Sequence, residues 1–338
     1  KNINLLYLVF NTFMKYLITG ITGQDGIHLT NLILKNEQNP IILGTSRYSD
    51  RDSFFNKLQY LNKDFNKNKI SFTSTNLENY RAVNKLIEDF NPNSIFNLSG
   101  PSSVYESHLK PEKTRASINN IFNNLTNACV EFNNFCNFFQ PSSSEMFKDC
   151  GTESLTEKSE FLPLSPYADA KLEIHKSVNE LRDAYDWNIN SGILFNHESE
   201  FRDDNYLFMK IINSVIKIKN GQQKKLAVGS LDLVRDWSYA KDITLAMYLI
   251  SNVESKSDYV IGSGMGHSIK DLVDIVFKSF NLRYEEYVDI DPGLLRKQAP
   301  KSIISDPAKI KNDFGWVPKT SFEELVEKCI KYKLNNRD

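Results

Sequence analysis

Six short β-rich runs alternate with amphipathic stretches over the first 200 residues, and this alternation limits the possible folds more than any other feature of the chain. The runs lie at 16–19, 41–44, 70–73, 94–98, 138–142 and 189–194. Between them the apolar residues take helical spacing, as at 80–90, where Val83, Leu86, Ile87 and Phe90 fall on one face. Strands that alternate with helices of this length imply parallel βαβ units, because a parallel neighbour needs a long crossover. Beyond Phe195 the pattern loosens. A helix is expected at 208–219, stopped by Asn220-Gly221, then a strand at 259–261 before the turn GSGMG, and helices at 269–280 and 322–332. No flexible linker separates two halves, so a discontinuous second domain is expected.

Composition narrows the class. Lys plus Arg is 41 and Asp plus Glu is 42, a net charge of −1, which argues against a general nucleic-acid binder and leaves room for a local basic pocket for a nucleotide diphosphate. Hydrophobic residues make up 41%, enough for a sizeable core in 338 residues. Cys129, Cys136, Cys150 and Cys329 show no ligand spacing, nor do His28, His108, His175 and His267, so no metal site is expected. So few cysteines in so long a chain fit reduced thiols and a cytoplasmic location. The apolar run 5–10 is too short to span a bilayer, and no later segment is long enough, so no membrane partner is expected. The natural start is expected at Met14, with 1–13 as a non-native N-terminal extension.

The first run leads directly into KYLITGITGQDG at 15–26. Gly20, Gly23 and Gly26 then open a helix. Such glycines serve a tight turn, close backbone approach to a pyrophosphate and helix–strand packing, with the anion on the helix N-terminus. Glycines also end strands for structural reasons alone, but here βαβ units follow. The fold class expected is therefore α/β: a Rossmann-type doubly wound parallel sheet with a smaller, discontinuous C-terminal α/β substrate domain. The dinucleotide-binding part is expected at 14–194 with a return at about 222–262, and the substrate part at 195–221 and 263–334. After the second strand the chain reads GTSRYS, with Arg47 and no acid, which favours NADP over NAD; the plainer reading of Arg47 is a solvated loop charge.

Residues 165–171 read SPYADAK, so Tyr167 and Lys171 stand one helical turn apart. A nearby ammonium favours the phenolate, so Tyr167 is expected to act as a base nearer neutral pH than a free phenol. Tyr-x-x-x-Lys also arises by chance, and its weight here comes from following the fifth strand. That strand ends in QPSSSEMF, which offers the Ser143 hydroxyl and, two residues on, the Glu145 carboxylate, a candidate base. Without these neighbours Glu145 would read as a solvated loop acid.

With LITGITGQDG (17–26), SSSEMF (142–147), SPYADAK, GILFNHES (192–199) and RDWSYAKD (235–242) in view, the chain resembles the extended short-chain dehydrogenase/reductase family of NAD-dependent epimerases and dehydratases over roughly 14–332. Within it the resemblance is closest to the GDP-mannose 4,6-dehydratase branch. The resemblance implies a lyase that oxidises carbon 4 of a GDP-sugar, eliminates water across carbons 5 and 6, and recycles its NADP, as a homodimer or homotetramer. It implies Ser143, Glu145, Tyr167 and Lys171 as the catalytic set. It implies Gly20, Gly23, Gln24, Asp25, Gly26, Arg47, Asn76, Leu98, Tyr167 and Lys171 around the cofactor. It implies Asn196, His197, Glu198, Lys210, Arg235 and Arg296 around the nucleotide sugar. Departures cluster in the substrate half: Glu200 and Phe201 follow NHES where the family has Pro and Arg, Met209 replaces an Arg, and Ala299 replaces a Glu. Tyr48 replaces the second Arg of a pair, and Asn76 replaces an Asp. The competing readings are a sugar-nucleotide epimerase or 4-reductase, against which Glu145 and NHES speak, and a degenerate nucleotide-binding or scaffold protein, against which the joint presence of Ser143, Glu145, Tyr167 and Lys171 speaks.

Overall fold

A computed structural model describes residues 13–46, 51–149, 151, 153–294 and 300–336. Arg47, Tyr48, Arg296, Ala299 and residues 1–12 lie outside the described residues, and with them the 2′-group reading, one phosphate contact and the expected extension.

The elements run β1 (Lys15–Thr19), α1 (Gln24–Asn36), β2 (Ile41–Thr45), α2 (Arg51–Leu61), β3 (Ile70–Thr73), α3 (Tyr80–Phe90), β4 (Ser94–Asn97), α4 (Val104–Leu109), α5 (Pro111–Glu131), β5 (Asn137–Ser143), α6 (Pro166–Tyr185) and β6 (Ile189–Leu194). They continue with β7 (Asn196–Glu198), α7 (Leu207–Lys219), β8 (Leu226–Val228), β9 (Val234–Tyr239), α8 (Ala240–Ser251), β10 (Asp258–Ile261), β11 (Gly266–Ser268), α9 (Ile269–Ser279), β12 (Val288–Ile290), β13 (Ser302–Ile303), α10 (Ala308–Phe314) and α11 (Phe322–Asn335).

Seven strands form one parallel sheet in the order β10-β6-β5-β4-β1-β2-β3. Its strands are apolar on both faces because helices cover both. Alternate residues feed two separate cores: Tyr16, Ile18, Phe96 and Phe139 pack with α1 and α8, while Leu17, Ile95 and Phe138 pack with α3, α5 and α6. The order of connection reverses between β1 and β4, and ligands of such sheets bind outside the strand ends at that point. There Thr19 Oγ1 donates to Asn97 Oδ1 at 2.9 Å, and Asn97 Nδ2 donates to Gln140 Oε1 at 2.8 Å, a buried polar ladder across the ends of β1, β4 and β5.

The second lobe is smaller. In it β9 pairs with β7, β11 and β13, and β8 pairs with β12, under a core shared by α7, α9 and α11. The return into the first lobe is therefore shorter than the expected 222–262. Strands β8 and β9 stay in the second lobe because β9 is the partner of β7, which has already left the large sheet. Only α8 and β10 go back. The chain returns once more beyond 300: Ile310 of α10 and Trp316 pack in the first lobe, not the second. The Asp236 carboxylate on β9 holds this seam, accepting from Ser263 N (2.7 Å), Gly264 N (2.9 Å) and Ser305 N (3.1 Å).

Candidate active site

The glycine turn has the shape that its spacing implies. Gly20 has φ +65°, a region that suits glycine, and a Cβ on it would stand 2.8 Å from the Leu98 carbonyl oxygen. At Gly26 a Cβ would meet the Ile21 carbonyl oxygen at 2.4 Å, so the first turn of α1 packs directly on the backbone of the turn that follows β1. Gly23 is the N-cap of α1 and supplies no side-chain cap. The first-turn N–H groups of a helix have no intrahelical acceptor, and the helix dipole places partial positive charge there. A side-chain-free cradle at a helix start, at the switch point of a parallel sheet, fits a dinucleotide pyrophosphate. Leu98 lines it through its carbonyl. Asn76, exposed beyond β3, accepts at Oδ1 from Glu78 N at 3.1 Å and so fixes its own turn.

The catalytic candidates converge beside it. Ser143 ends β5, and its Oγ accepts from Glu145 N at 3.2 Å, which starts the short turn that carries Glu145. Ser165 caps α6 by accepting from Ala168 N at 3.1 Å, and Pro166 occupies the first turn, where its missing N–H costs nothing. Tyr167 is thereby fixed at the start of α6, buried and hydrogen-bonded to Ser143, with Glu145 close enough to act on its charge. Burial pushes the Tyr167 phenol up to about 12; the Ser143 hydrogen bond and the Arg202 guanidinium favour the phenolate, while Glu145 and Tyr206 oppose it. Burial takes the Lys171 ammonium down to about 8. Lys171 Nζ donates to the Pro141 carbonyl at 2.9 Å and lies 5.8 Å from the Tyr167 ring centroid. The expectation that Lys171 brings Tyr167 toward neutrality is thus corrected. Burial disfavours both charged forms, and Ser143 and Arg202 are the groups that favour the phenolate.

The 196–202 segment is tied to the glycine turn. Gln24 Nε2 donates to the His197 carbonyl at 3.0 Å and Gln24 Oε1 accepts from Ser199 Oγ at 3.0 Å. Gln24 thus ties the 196–202 segment to the start of α1 through its side chain. His197 Nδ1 donates to the Phe195 carbonyl at 2.8 Å, and His197 Nε2 faces Asp25 Oδ2 at 3.1 Å. With an acceptor at each ring nitrogen the imidazolium is the form that satisfies both. Burial lowers the His197 pKa, but Asp25 and the Phe195 carbonyl outweigh it and the net shift is upward. For Asp25 burial raises the pKa, and His197 turns the net shift downward. A raised His contributes stability that is complete below its unfolded value near 6.5 and is lost as pH rises through the folded value. A depressed Asp contributes stability that is complete above its unfolded value near 3.9 and is lost as pH falls through the folded value. His197→Gln is therefore expected to lower stability by roughly 2 kcal/mol in the window between them, with the difference from wild type shrinking at alkaline pH. Thermal unfolding of both proteins across pH measures this, and a pH-independent difference would refute the ion pair.

Glu198, buried on β7, faces Arg202 Nε at 3.0 Å as an ion pair. Asn196 pairs in register with Trp237 of β9, and Arg235, two residues earlier on that strand, lies between His267 of β11 and Ile303 of β13. Arg235 is buried, donates to its neighbour's carbonyl (Val234 O) at 2.7 Å, and acts on the Asp149 carboxylate. Lys210 stands exposed on the first turn of α7.

Four residues of this region have no role assigned by sequence reasoning: Arg202, Tyr206, Ser102 and Glu200. Arg202 lies among Asp25, Glu198 and Tyr167. Its guanidinium carbon sits 3.5 Å from the Tyr206 ring centroid, and the Tyr206 hydroxyl is 2.6 Å from Ser102 Oγ. The i, i+4 spacing of Arg202 and Tyr206 is the only sequence signal. Glu200, buried, accepts from the Tyr239 hydroxyl at 3.0 Å and lies 3.9 Å from His28 Nε2, so this departure from the family pattern is absorbed under α1 rather than in the cleft.

Comparison with known proteins places these features in company. The family model described as GDP-mannose 4,6 dehydratase matches residues 17–329. The GDP-mannose 4,6 dehydratase 2 of Arabidopsis thaliana is 31% identical over 320 residues, covering 93% of this chain and 85% of that protein. The GDP-mannose 4,6 dehydratase of Homo sapiens is 32% identical over 340 residues, covering 93% and 90%. Among solved structures, dTDP-glucose 4,6-dehydratase from Bacillus anthracis in complex with NAD has a TM-score of 0.81 at 17% identity, covering 96% of this chain and 97% of that one. UDP-glucose 4-epimerase from Thermus thermophilus, in complex with NAD, has a TM-score of 0.82 at 19% identity, covering 96% and 100%. At such identities the two structures bear on the fold alone.

Proposed function

The chain belongs to the GDP-mannose 4,6 dehydratase family, and we infer that it is a hydro-lyase converting GDP-mannose to GDP-4-keto-6-deoxymannose. The observation that carries this reading is the meeting of Ser143, Glu145 and Tyr167 at one strand end beside the glycine turn. Gly20, Gly23 and Gly26 with the start of α1 would hold the cofactor pyrophosphate. When bound, the cofactor supplies reversible hydride transfer, away from carbon 4 and back to carbon 6.

Tyr167 receives the proton of the carbon 4 hydroxyl as that carbon becomes a ketone. Only the phenolate can take that proton, and with the phenol pushed up to about 12 a small fraction of the protein holds it at neutral pH. Ser143 and Arg202 favour that phenolate. The ketone acidifies carbon 5, and Glu145 takes the carbon 5 proton. The carbon 6 hydroxyl leaves as water with the proton that Glu145 took, so carbons 5 and 6 lose H and OH between them; as hydride returns to carbon 6, carbon 5 takes up a proton, which balances the one that Tyr167 received from the carbon 4 hydroxyl. The Glu145 carboxylate is what separates elimination from simple oxidation. Asn196, His197, Glu198, Lys210, Arg235 and Arg296 bind the nucleotide sugar in this reading, and Lys171 completes the cofactor side.

NADP is the form of cofactor proposed, supported by Arg47 after the second strand. A cytoplasmic location and a homodimer or homotetramer belong to the same proposal; no described helix is long and apolar enough to cross a membrane. Incubating the protein with NADP or NAD and a panel of GDP-, CDP-, UDP- and dTDP-hexoses, with products analysed by mass, tests it. Loss of the mass of water from GDP-mannose, with no net cofactor reduction, is the expected result. A product of unchanged mass would make the enzyme an epimerase, and a product that gains two hydrogens in a parallel incubation with NADPH and a 4-keto sugar nucleotide would make it a reductase.

A further inference from the structure

The geometry points to Tyr206 as a positioning residue for the reacting hexose, a strap that joins the two walls of the cleft and holds Arg202 in place. Ser102 lies in the loop between β4 and α4, on the wall built by the large sheet. Tyr206 lies at the N-cap of α7, on the wall built by the second lobe. Their hydroxyls meet at 2.6 Å across a separation of 104 residues. The strap is stiff at its own end: Tyr206 N donates to the Asp203 carbonyl at 3.2 Å, and the Tyr206 carbonyl accepts from Lys210 N at 2.8 Å.

The ring has a second duty. The Arg202 guanidinium carbon lies 3.5 Å from the Tyr206 ring centroid while Arg202 Nε faces Glu198 at 3.0 Å, so the cation is held between a π-face and a carboxylate. From there its charge acts on Tyr167. One side chain therefore sets both the link to the loop between β4 and α4, through its hydroxyl, and the placement of the guanidinium, through its ring. These two duties are separable by substitution.

The inference rests on the dehydratase reading, and the experiment keeps the two apart. Wild-type turnover of GDP-mannose is measured first; its absence counts against that reading and leaves a direct test by calorimetric titration of GDP-mannose. Tyr206→Phe keeps the ring and removes the strap. Its KM for GDP-mannose is expected to rise about 2- to 10-fold, the worth of one hydrogen bond, with kcat nearly unchanged. Ser102→Ala is expected to do the same, and the double variant to be no worse than either single one, the signature of a shared interaction. Tyr206→Leu, which removes the ring as well, is expected to move the acidic limb of the kcat–pH profile to higher pH than in Tyr206→Phe, a comparison in which both variants lack the Tyr206 hydroxyl that also acts on Tyr167. In the calorimetric arm the same non-additive pattern is expected in Kd. Additive losses in the cycle, or singles that match wild type in KM and Kd, would overturn the inference.

Discussion

Glu145→Gln is expected to bind cofactor and GDP-mannose as wild type does and to form 6-deoxy product about 10²- to 10⁴-fold more slowly, the range for removal of a positioned general base. The amide keeps the size of the side chain, and the backbone N–H of residue 145 still donates to Ser143, so the turn that ends β5 is kept. What is lost is the capacity to take the carbon 5 proton. Oxidation at carbon 4 depends on Tyr167 and Ser143, which the substitution leaves in place. The variant is therefore expected to stall after the first half-reaction and to accumulate reduced cofactor, seen as near-ultraviolet absorbance that wild type never builds up. Product analysis by mass gives the second readout. Near wild-type dehydration would remove Glu145 from the mechanism, and a variant that neither oxidises nor dehydrates would show that Glu145 acts on carbon 4 instead.

Gly26→Ala is the second large effect. The new Cβ would stand 2.4 Å from the Ile21 carbonyl oxygen and 2.6 Å from the Ile21 Cα, all backbone atoms that have no rotamer by which to yield. Either α1 lifts from the turn that follows β1 or that turn shifts, and both displace the N-terminal turn that receives the pyrophosphate. Overpacking of this kind costs about 1–3 kcal/mol in stability. The misplaced helix start is expected to weaken NADP by about tenfold or more as well. Gly23→Ala is the control. Its Cβ would sit 3.3 Å from the Gly20 carbonyl oxygen at an ordinary φ of −71°, so a milder loss is expected. Thermal unfolding with and without NADP separates the two effects. Equal behaviour of the two variants would mean that close packing at Gly26 is not what the turn requires.

Much of this molecule is legible in its sequence, and the reasons are local. Strands β1, β4 and β6 are buried on both faces and so read as short apolar pairs or triplets flanked by small polar residues, not as alternating patterns. Helix α3 declares itself by Val83, Leu86 and Ile87 on one face and by Asn79, whose side chain accepts from Ala82 N. Gly20, Gly23 and Gly26 mark the phosphate turn, where the Leu98 and Ile21 carbonyls leave no room for a side chain at the first and last of them. The 222–239 stretch defeats sequence reasoning because a short strand such as β9 has the same apolar look in either sheet, and only its pairing with β7 decides. The charge balance around Tyr167 is also beyond sequence. Tyr-x-x-x-Lys places two residues on one helix face, but how deeply they are buried, and that Arg202 arrives from another lobe, depends on tertiary packing. The strap between Ser102 and Tyr206 joins residues with no motif in common.

The polypeptide's repeated passage between its lobes binds their fates together. The outermost strand of the large sheet, β10, and the helix that covers α1, α8, are supplied only after the chain has built β7, α7, β8 and β9 elsewhere. Cutting the chain after β6 would thus strip Ile243, Met247 and Ile250 from the core over α1 and leave β6 as an exposed, apolar edge, an invitation to aggregate. Neither lobe is an excisable module, and a working hybrid with a cousin would need its crossovers exchanged as a set.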